Sequence, residues 1–297
     1  MKILVIGSKG FIGSHCLKYF QKDHDVWGCD VFTDHNEPNF FLVSGFNSDF
    51  AGIFSKMQFD CCINCSGAAS VPDSLLHPGQ DYELNVYNVA RILDAIRKYS
   101  PTCKFINLSS AAVYGNPETL PVQESSQIRP VSPYGIHKSM AEKLCEEFYT
   151  FFGIATCSLR IFSAFGDGLR KQLFWDVYRK SKLSDTIELF GTGNESRDYI
   201  YIDDIVNAIE LVMQKSPFQS SVYNIGRGEA WTIRNVSELL VKELRWKGTL
   251  VFSGHHRAGD PEQWEADIAA IRKLGFELSV SVEEGINKYA SWLLSLD

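Results

Sequence analysis

The fold is decided by the first residues of the chain, where residues 1–14 read MKILVIGSKGFIGS. The apolar run 2–6 is typical of a buried β-strand, and it passes directly into a turn that contains Gly7, Gly10 and Gly13. Glycines at these positions allow a tight turn, close approach of the backbone to a bound group, and close packing of the helix that follows. The N-terminus of that helix offers N–H groups and a partial positive charge to an anion. This segment therefore predicts a strand, a phosphate-binding turn and a helix.

Asp30 ends the next apolar run, at the position where folds of this kind bind the adenosine ribose of a dinucleotide. A carboxylate there accepts hydrogen bonds from the ribose hydroxyls and repels a 2′-phosphate. Because no Arg or Lys follows in residues 31–33, we predict NAD as the cofactor rather than NADP.

Short apolar runs alternate with longer helical patterns through the first half of the chain. We predict strands at residues 2–6, 25–30, 39–43, 59–65, 104–108 and 155–161, and helices at residues 13–21, 50–56, 80–99 and 134–152. Near-continuous apolar strands separated by helices indicate a parallel sheet that is covered on both faces. The expected fold class is therefore α/β, with a Rossmann-type doubly wound parallel sheet.

The regular alternation breaks after Arg160. In the second half we predict helices at residues 203–214, 233–244 and 282–294, and short strands at residues 187–190, 222–225 and 249–252. We predict a dinucleotide-binding domain at residues 1–161 and a smaller C-terminal α/β lobe, which holds the substrate, at residues 162–297. Segments near 198–226 are expected to return to the first domain, with the ligand cleft between the two.

Composition and charge exclude several classes of protein. The 297 residues carry a formal net charge of −7, with 45% hydrophobic and 22% charged residues, which are ordinary globular proportions. An acidic balance without a block of like charges argues against a surface that binds nucleic acid or an anionic membrane. No apolar run reaches the roughly 18 residues that a membrane helix needs, and the N-terminal run is too short for a signal peptide.

Eight cysteines are scattered along the chain, mostly inside apolar runs. Cys62 and Cys65 have the spacing of a redox motif, but their run, FDCCINC, has the length and apolarity of a buried strand. Free buried thiols behave as small apolar side chains in a reducing compartment. We therefore expect a cytoplasmic protein without disulfides and without a metal site.

Tyr134 and Lys138 lie four residues apart at the start of a predicted helix, so they share one face of it. An unperturbed tyrosine, with a pKa of about 10, is a poor base at neutral pH, but a nearby ammonium or a positively charged nicotinamide ring favours the phenolate. Lys138 can also donate a hydrogen bond to the nicotinamide ribose. Ser110 ends the fifth predicted strand, at the sheet edge where ligands bind in open α/β folds, and its hydroxyl can orient a substrate hydroxyl or carbonyl.

A family resemblance is carried by GSKGFIG at 7–13, Asp30, SSAAVYG at 109–115, SPYGIHK at 132–138, RDYIYIDDI at 197–205 and RAGDP at 257–261. This set resembles the extended short-chain dehydrogenase/reductase family, and within it the NAD-dependent nucleotide-sugar epimerases and dehydratases, such as UDP-glucose/UDP-galactose 4-epimerase-like proteins. The resemblance covers essentially the whole chain. It is specific for the family but not for one substrate.

The resemblance implies that Tyr134 is the general base and that Lys138 and Ser110 assist it. It also implies cofactor contacts from the glycine turn, from strand ends and from neighbouring helices: Gly7, Gly10, Phe11, Ile12, Gly13, Asp30, Asp49, Phe50, Cys65, Ser66, Gly67, Ala69, Asn85, Tyr134, Lys138 and Phe162. Core packing explains Phe162 equally well. The Asn85 amide, inside an otherwise apolar helix face, needs a hydrogen-bond partner.

Substrate contacts are implied for a second set of residues: Ser110, Tyr134, Ser163, Gln172, Leu189, Phe190, Arg197, Arg257 and Asp260. Arg197 and Arg257 resemble the two family arginines that clamp the substrate pyrophosphate, which suits bidentate guanidinium hydrogen bonds. A salt bridge to Asp260 is the alternative for Arg257. A buried strand is the alternative for Leu189 and Phe190.

Departures from the family pattern bear on the reaction and on the sugar. Ser163 replaces the familiar Asn after the sixth strand, residues 170–175 replace the usual substrate loop, and Trp264 falls near the position that borders the sugar pocket in the 4-epimerases. The two residues after Ser110 are alanines, which cannot transfer a proton. A 4,6-dehydratase or a decarboxylase of that type is therefore not expected.

The leading expectation is an epimerase that acts at C4 of a nucleotide-diphosphate sugar through a transient 4-keto intermediate. The alternatives are a reductase of an NDP-4-keto-6-deoxy sugar that uses the same three residues and, more remotely, a non-catalytic NAD-binding regulator. The resemblance also implies a homodimer in which helices 80–99 and 134–152 form a four-helix interface. Phe148, Phe151 and Phe152 fit such an interface, and core packing explains them equally well.

Overall fold

The computed structural model describes residues 1–32, 38–45, 48–255, 259 and 261–296. Its strands are β1 (Lys2–Ile6), β2 (Asp25–Asp30), β3 (Phe40–Leu42), β4 (Cys61–Asn64), β5 (Lys104–Ser110), β6 (Thr156–Ile161), β7 (Ser163–Phe165), β8 (Thr186–Leu189), β9 (Ser196–Tyr201), β10 (Gln219–Ile225), β11 (Ala230–Thr232) and β12 (Thr249–Phe252). Its helices are α1 (Phe11–Phe20), α2 (Phe50–Lys56), α3 (Val71–Leu76), α4 (Pro78–Tyr82), α5 (Asn88–Tyr99), α6 (Pro133–Phe152), α7 (Gln172–Ser181), α8 (Ile202–Lys215), α9 (Ile233–Glu243), α10 (Ala269–Lys273) and α11 (Val282–Leu294). A π-helical turn at Glu83–Tyr87 joins α4 to α5, and a 3₁₀ turn at Ala111–Val113 follows β5.

The central sheet has the strand order β10-β6-β5-β4-β1-β2-β3, and each neighbouring pair is parallel. Side chains of β1 alternate between its two faces, because Ile3 and Val5 belong to one apolar core and Leu4 and Ile6 to the other. Residues of α1 and α8 complete the first core, and residues of α2, α5 and α6 complete the second. The predicted Rossmann-type doubly wound sheet is confirmed.

Two smaller sheets form in the second half of the chain. One joins β11, β9 and β7, and the other joins β12 and β8. The sequence did not predict β7, β9, β11, α3 or α7. After β9 and α8 the chain returns to the central sheet, where β10 pairs in parallel with β6. The segment around 198–226 therefore ends in a strand of the central sheet, while the division of the chain at residues 161 and 162 stays a prediction.

The helix predicted at residues 80–99 is present, but it contains a π turn. At that turn the N–H of Asn88 bonds to the carbonyl of Glu83, five residues back. Apolar residues on both sides of this π turn keep a helical spacing. The hydrophobic pattern therefore predicts the helix but not the single wider turn within it.

The phenylalanines considered for a dimer interface differ in exposure. Phe148 is buried and its ring lies 5.2 Å from that of Phe152, so core packing is the correct interpretation for this residue. Phe151 and Phe152 leave 76% and 48% of their area exposed. The end of α6 therefore presents apolar surface to solvent.

The cysteines lie mostly in the interior as free thiols. All eight thiols are free, and all but Cys65 are buried. Across the described residues, no helix is both long enough and apolar enough to cross a membrane.

Candidate active site

The glycine turn after β1 depends on residues without a side chain. Gly7 adopts a φ of +78°, and a Cβ atom there would lie 2.7 Å from the backbone nitrogen of Ser66. A Cβ atom on Gly13 would collide with the carbonyl oxygen of Gly7. Gly10 is the N-cap of α1 and has no side chain with which to cap that helix. The helix N-terminus thus packs tightly against β1, and the N–H groups of Phe11, Ile12 and Gly13 lie in its first turn.

Asp30 lies beside the glycine turn at the carboxyl end of β2. Its carboxylate accepts hydrogen bonds from the backbone N–H of Lys9 at 2.8 Å and of Val31 at 2.7 Å. These contacts hold the carboxylate against the turn, and each oxygen keeps a further lone pair for a ligand hydroxyl. The structure therefore brings Asp30 and the glycine turn together, as a dinucleotide site requires.

The loop after β4 approaches the start of α6. Ser66 donates its hydroxyl to Asn64 Oδ1 at 2.6 Å, and the N–H of Cys65 bonds to the carbonyl of Ile6 at 2.8 Å. Cys65 and Ser66 are partly exposed, and Gly67 and Ala69 are exposed.

Gly67 marks the point where three predicted residues meet. It adopts a φ of +119°, and a Cβ atom there would collide with Asn85 Oδ1 and lie 3.6 Å from Lys138 Nζ. Asn85, in the π turn, is only 2% exposed, and neither atom of its amide has a hydrogen-bond partner among the described residues. A buried amide in this state is an expected contact point for a ligand.

Tyr134 lies in the first turn of α6, and the local sequence explains why the helix begins there. Ser132 is the N-cap and accepts a hydrogen bond from the N–H of Gly135 at 3.2 Å, and Pro133 occupies the first helical position. One turn later, Lys138 Nζ lies 5.8 Å from the centre of the Tyr134 ring and donates to the carbonyl of Leu108 at 2.9 Å. The carbonyl belongs to β5, so this bond fixes Lys138 against the strand that ends in Ser110.

Burial sets the protonation of both side chains. Burial raises the pKa of Tyr134 to about 12. The hydrogen bond with Ser110 acts in the opposite direction and lowers this pKa, whereas the charge of Asp81 raises it. Burial lowers the pKa of Lys138 to about 8, against the opposing effect of carboxylates that include Asp81 and Glu142. At neutral pH the protein alone therefore holds a tyrosine phenol next to a lysine ammonium. A bound cation close to Tyr134 would lower its pKa.

Arg197 lies on β9, within a group of aromatic residues. Its guanidinium donates to the carbonyl of Ser196 at 2.8 Å, and the guanidinium carbon lies 5.5 Å from the centre of the Trp264 ring. Trp264 donates its indole N–H to the carbonyl of Gly115 at 2.9 Å and lies edge-on to Phe162 at 6.1 Å. Arg197 is thus held next to the segment that follows Ser110. The other predicted clamp residue, Arg257, and Asp260 lie outside the described residues.

Several predicted ligand contacts have structural roles that account for them without a ligand. Asp49 is the N-cap of α2 and accepts from the N–H of Gly52 at 2.9 Å, and Phe50 lies in the core. Phe162 is likewise buried, so the two phenylalanines offer little side-chain surface, whereas Asp49 is exposed.

The remaining substrate candidates lie on separate elements. Ser163 is partly exposed in β7, and Gln172 is exposed at the start of α7 with a φ of +66°. Leu189 is buried and its carbonyl accepts from the N–H of Ser253 at 2.9 Å, whereas Phe190, just beyond β8, is 56% exposed. Their contacts with a substrate stay a prediction.

Sequence reasoning missed one buried pair beside the site. Asp81 of α4 lies against His137, the residue before Lys138. Each residue lies next to a predicted site residue, because Asp81 precedes Asn85 by one helical turn and His137 directly precedes Lys138 in the SPYGIHK motif. This proximity was the available signal that the two residues belong to the site. Neither residue alone indicates the other, because they are 56 positions apart.

The glycine turn, the acid after β2 and the Tyr134–Lys138 pair together define a dinucleotide-dependent enzyme on a Rossmann-type sheet. Residues 3–226 match the model of the NAD dependent epimerase/dehydratase family, and the chain belongs to this family. The predicted family, enzyme class and NAD cofactor are confirmed.

Individual relatives are similar along the whole chain. An uncharacterized UDP-glucose epimerase of Bacillus subtilis (strain 168), YtcB, is 30% identical over 319 residues, which cover 100% of this chain and 99% of the relative. The UDP-glucuronic acid 4-epimerase of Bacillus cereus, solved with UDP-glucuronic acid and NAD, is 26% identical with a TM-score of 0.90 and full coverage of both chains, 100% and 100%. The UDP-glucose 4-epimerase of Thermotoga maritima, solved with UDP-glucose, is 28% identical with a TM-score of 0.91, covering 100% of this chain and 99% of that one.

Proposed function

We propose that this protein is an NAD-dependent epimerase that inverts C4 of a UDP-linked sugar through a transient 4-keto intermediate. The observation that carries the proposal is the grouping of Tyr134, Lys138 and Ser110 at the carboxyl end of β5, with two alanines directly after Ser110. Elimination of water from the sugar would need a further acid–base pair there, which alanines cannot supply. The two structures solved with UDP-sugars support this substrate class.

The described residues fit a bound NAD. The glycine turn brings backbone N–H groups and the N-terminus of α1 together, which suits the pyrophosphate of NAD. The Asp30 carboxylate lies beside this turn and can accept hydrogen bonds from the adenosine ribose. The buried amide of Asn85 has no partner among the described residues, so a polar group of the cofactor at Gly67 would satisfy it. The chemistry that bound NAD supplies is reversible hydride acceptance at C4, which leaves the cofactor unchanged after each turnover.

Tyr134 then acts as base and as acid in turn. Its pKa of about 12 keeps the proton on the phenol in the protein alone, and the positive nicotinamide ring together with the Lys138 ammonium favours the phenolate in the complex. The phenolate removes the proton of the 4-hydroxyl as the C4 hydrogen leaves with its electron pair. After the keto sugar has turned over, the same phenol returns the proton to the 4-oxygen, while Ser110 orients that oxygen.

A sugar that turns over must stay bound by its other end. We assign this role to the pyrophosphate, held by Arg197 from β9 and by Arg257, with Asp260 at the nucleotide ribose. Arg197 lies near the ring of Trp264, and Trp264 bonds to the carbonyl of Gly115. These contacts support a pyrophosphate site close to the end of β5. In this proposal residues 1–161 hold NAD, and residues 162–297, apart from the returning segment, hold the nucleotide sugar.

A homodimer built on residues 80–99 and on α6 is part of the proposal. Ile136 and Met140 on α6 are 41% and 42% exposed, and Phe151 lies further along the same helix. Tyr82 and Tyr87 add exposed rings from the neighbouring turns. This apolar strip suits a second copy of the chain that presents the same helices. Eight free thiols support a reducing location, so we place the protein in the cytoplasm.

The function is tested on the purified protein without added cofactor. Denaturation should release stoichiometric NAD. The native protein should interconvert the C4 epimers of one member of a panel of UDP-glucose, UDP-glucuronic acid and UDP-N-acetylglucosamine, without net formation of reduced cofactor. Stoichiometric oxidation of reduced cofactor by a 4-keto sugar would instead identify a reductase. No turnover with any sugar would overturn the proposal.

A further inference from the structure

Asp81 and His137 form a buried pair next to the proposed catalytic residues. Asp81 lies on α4 and His137 on α6, and His137 Nδ1 is 2.5 Å from Asp81 Oδ1. Their exposed fractions are only 3% and 8%, and the ring of Tyr82 lies edge-on to the His137 ring at 5.4 Å. The pair therefore belongs to the packed interior of the α4–α6 contact.

The position of Asp81 joins it to both sides of the site. His137 directly precedes Lys138, and Asn85, which meets Lys138 at Gly67, lies one turn after Asp81. The second carboxylate oxygen, Oδ2, is buried without a hydrogen-bond partner among the described residues. A buried carboxylate is costly unless it is fully paired, and its charge is weakly screened in the interior, so it acts on titratable groups around it.

Besides His137, which contacts Asp81 directly, these groups include Lys138 and Tyr134, and the Asp81 carboxylate raises the pKa of both. Cys65 and Glu142 also act on Lys138, but the Glu142 carboxylate is held by Arg160 at 2.7 Å. Besides Arg160, the other ionisable side chains on the elements packed against α6 are Asp73, Tyr82, Glu83, Tyr87, Arg91, Asp94, Arg97, Lys98, Tyr99, Lys104, Cys157 and Tyr223. Of these, Asp94 is neutralised by ion pairs with Arg97 and Lys98, and Asp73 is exposed. Asp81 is thus the buried carboxylate at this contact that acts on both catalytic groups.

We propose that Asp81, held by His137, is a positioning residue of this active site that retains the protons of Lys138 and Tyr134 and so sets the pH range of the reaction. The expected change in the pH–rate profile rests on the proposed function, whereas the expected change in the titration of Tyr134 does not. Loss of one negative charge should make both groups better acids, so both should titrate at lower pH. If the pair had a purely structural role, removal of the Asp81 charge would lower stability and leave the pKa values of Lys138 and Tyr134 unchanged.

The test is Asp81→Asn, which removes the charge and keeps an oxygen that can accept from His137. With NAD bound, the phenolate absorbance of Tyr134 is measured as the difference between each protein and its Tyr134→Phe derivative. We expect the midpoint to fall by about one pH unit in Asp81→Asn. The pH–rate profile should move the same way at both limbs, because Tyr134 must lose its proton and Lys138 must keep its own. An unchanged midpoint would overturn the proposal.

Two further variants keep the test decisive. Asp204→Asn removes a buried carboxylate of α8 that accepts from the N–H of Ser279 at 2.9 Å, so it should lower stability without moving either limb. If Asp81→Asn does not fold, the double variant Asp81→Leu/His137→Leu replaces the pair by apolar residues, a change that buried ion pairs often tolerate. It should show the same lowered midpoint. Because the absorbance titration needs no substrate, it decides the inference even where no sugar is turned over.

Discussion

Two polar clusters share the face of α6 that carries Tyr134, Lys138 and Glu142, and they differ in how completely their side chains are hydrogen-bonded. The Arg160 network consists of Ser109, Tyr114, Glu142, Arg160 and Asn224. The Tyr134 cluster consists of Asp81, Asn85, Tyr134 and Lys138.

In the Arg160 network each charged or polar side chain has protein partners. Arg160 bonds to both oxygens of Glu142, at 3.0 and 2.7 Å, and to the hydroxyl of Tyr114 at 2.7 Å. Tyr114 donates to Asn224 Oδ1 at 2.6 Å, and the hydroxyl of Ser109 bonds to Glu142 at 2.5 Å. The network ties β5, β6, β10 and α6 together, and the chain alone completes it.

In the Tyr134 cluster Asp81, Asn85 and Lys138 are buried and Tyr134 is partly exposed, and the hydrogen bonding is incomplete. Among the described residues, Asn85 has no partner at either amide atom and Asp81 has none at Oδ2. Each such group costs about 1–3 kcal/mol of stability. The difference between these two clusters teaches that the protein completes the Arg160 network by itself, whereas the amide of Asn85 is left for a ligand to pair.

The largest expected effect is a difference in kcat between substitutions in the two clusters. Tyr134→Phe should lower kcat for C4 epimerisation about a thousandfold, because it removes the group that takes and returns the proton, while NAD stays bound. The matched control is Tyr114→Phe in the Arg160 network. It should keep kcat within a few fold and lower the free energy of unfolding by about 2 kcal/mol. A kcat within tenfold of the wild type for Tyr134→Phe would contradict this assignment.

The next effect tests the Arg160 network as a structural unit. Glu142→Gln leaves Arg160 as a buried charge without its counter-ion, so the free energy of unfolding in urea should fall by about 3 kcal/mol. On the same helix, Glu146 forms an exposed ion pair with Lys143 at 2.7 Å. Glu146→Gln should change stability by about 0.5 kcal/mol or less. Equal effects of the two substitutions would show that the burial of Glu142 carries no special weight.

The smallest effect compares two buried asparagines. Asn85→Ala breaks no hydrogen bond among the described residues, and the packing that it loses offsets the relief of two unpaired amide atoms, so stability without cofactor should stay nearly unchanged. The Kd for NAD should rise about tenfold, or about 1.4 kcal/mol. Asn224→Ala removes bonds to Tyr114 and to the carbonyl of Val122 at 2.9 Å. It should lower the free energy of unfolding by about 2 kcal/mol without a change in Kd for NAD. Calorimetric titration with NAD and urea unfolding measure both, and a marked loss of stability in cofactor-free Asn85→Ala would remove the distinction.

Much of the first half of the fold was predictable because its signals are local. The run from β1 through the glycine turn to Asp30 combines an apolar strand, spaced glycines and an acid within 30 residues, and the structure places them together. The spacing of Tyr134 and Lys138 likewise fixes their common face of α6 without any knowledge of the rest of the chain.

The features that were missed depend on contacts that no local pattern contains. The short strand β11 forms by antiparallel pairing with β9, and its own three residues do not predict a partner. The Asp81–His137 pair joins residues that only the packing of α4 on α6 brings together. Arg257 and Asp260 lie outside the described residues, so their role remains a prediction.

The return of β10 to the central sheet has a consequence for synthesis of the protein. β6 gains its outer neighbour only when residues 219–225 have been made, long after β6 itself at Thr156–Ile161. At roughly 5–20 residues per second, the ribosome needs several seconds to make the intervening chain. During that interval β6 is an edge strand that presents unpaired N–H and C=O groups, to which another nascent chain can add. A fragment that stops after residue 161 would keep this edge permanently, so we expect it to aggregate rather than to fold as an isolated NAD-binding unit.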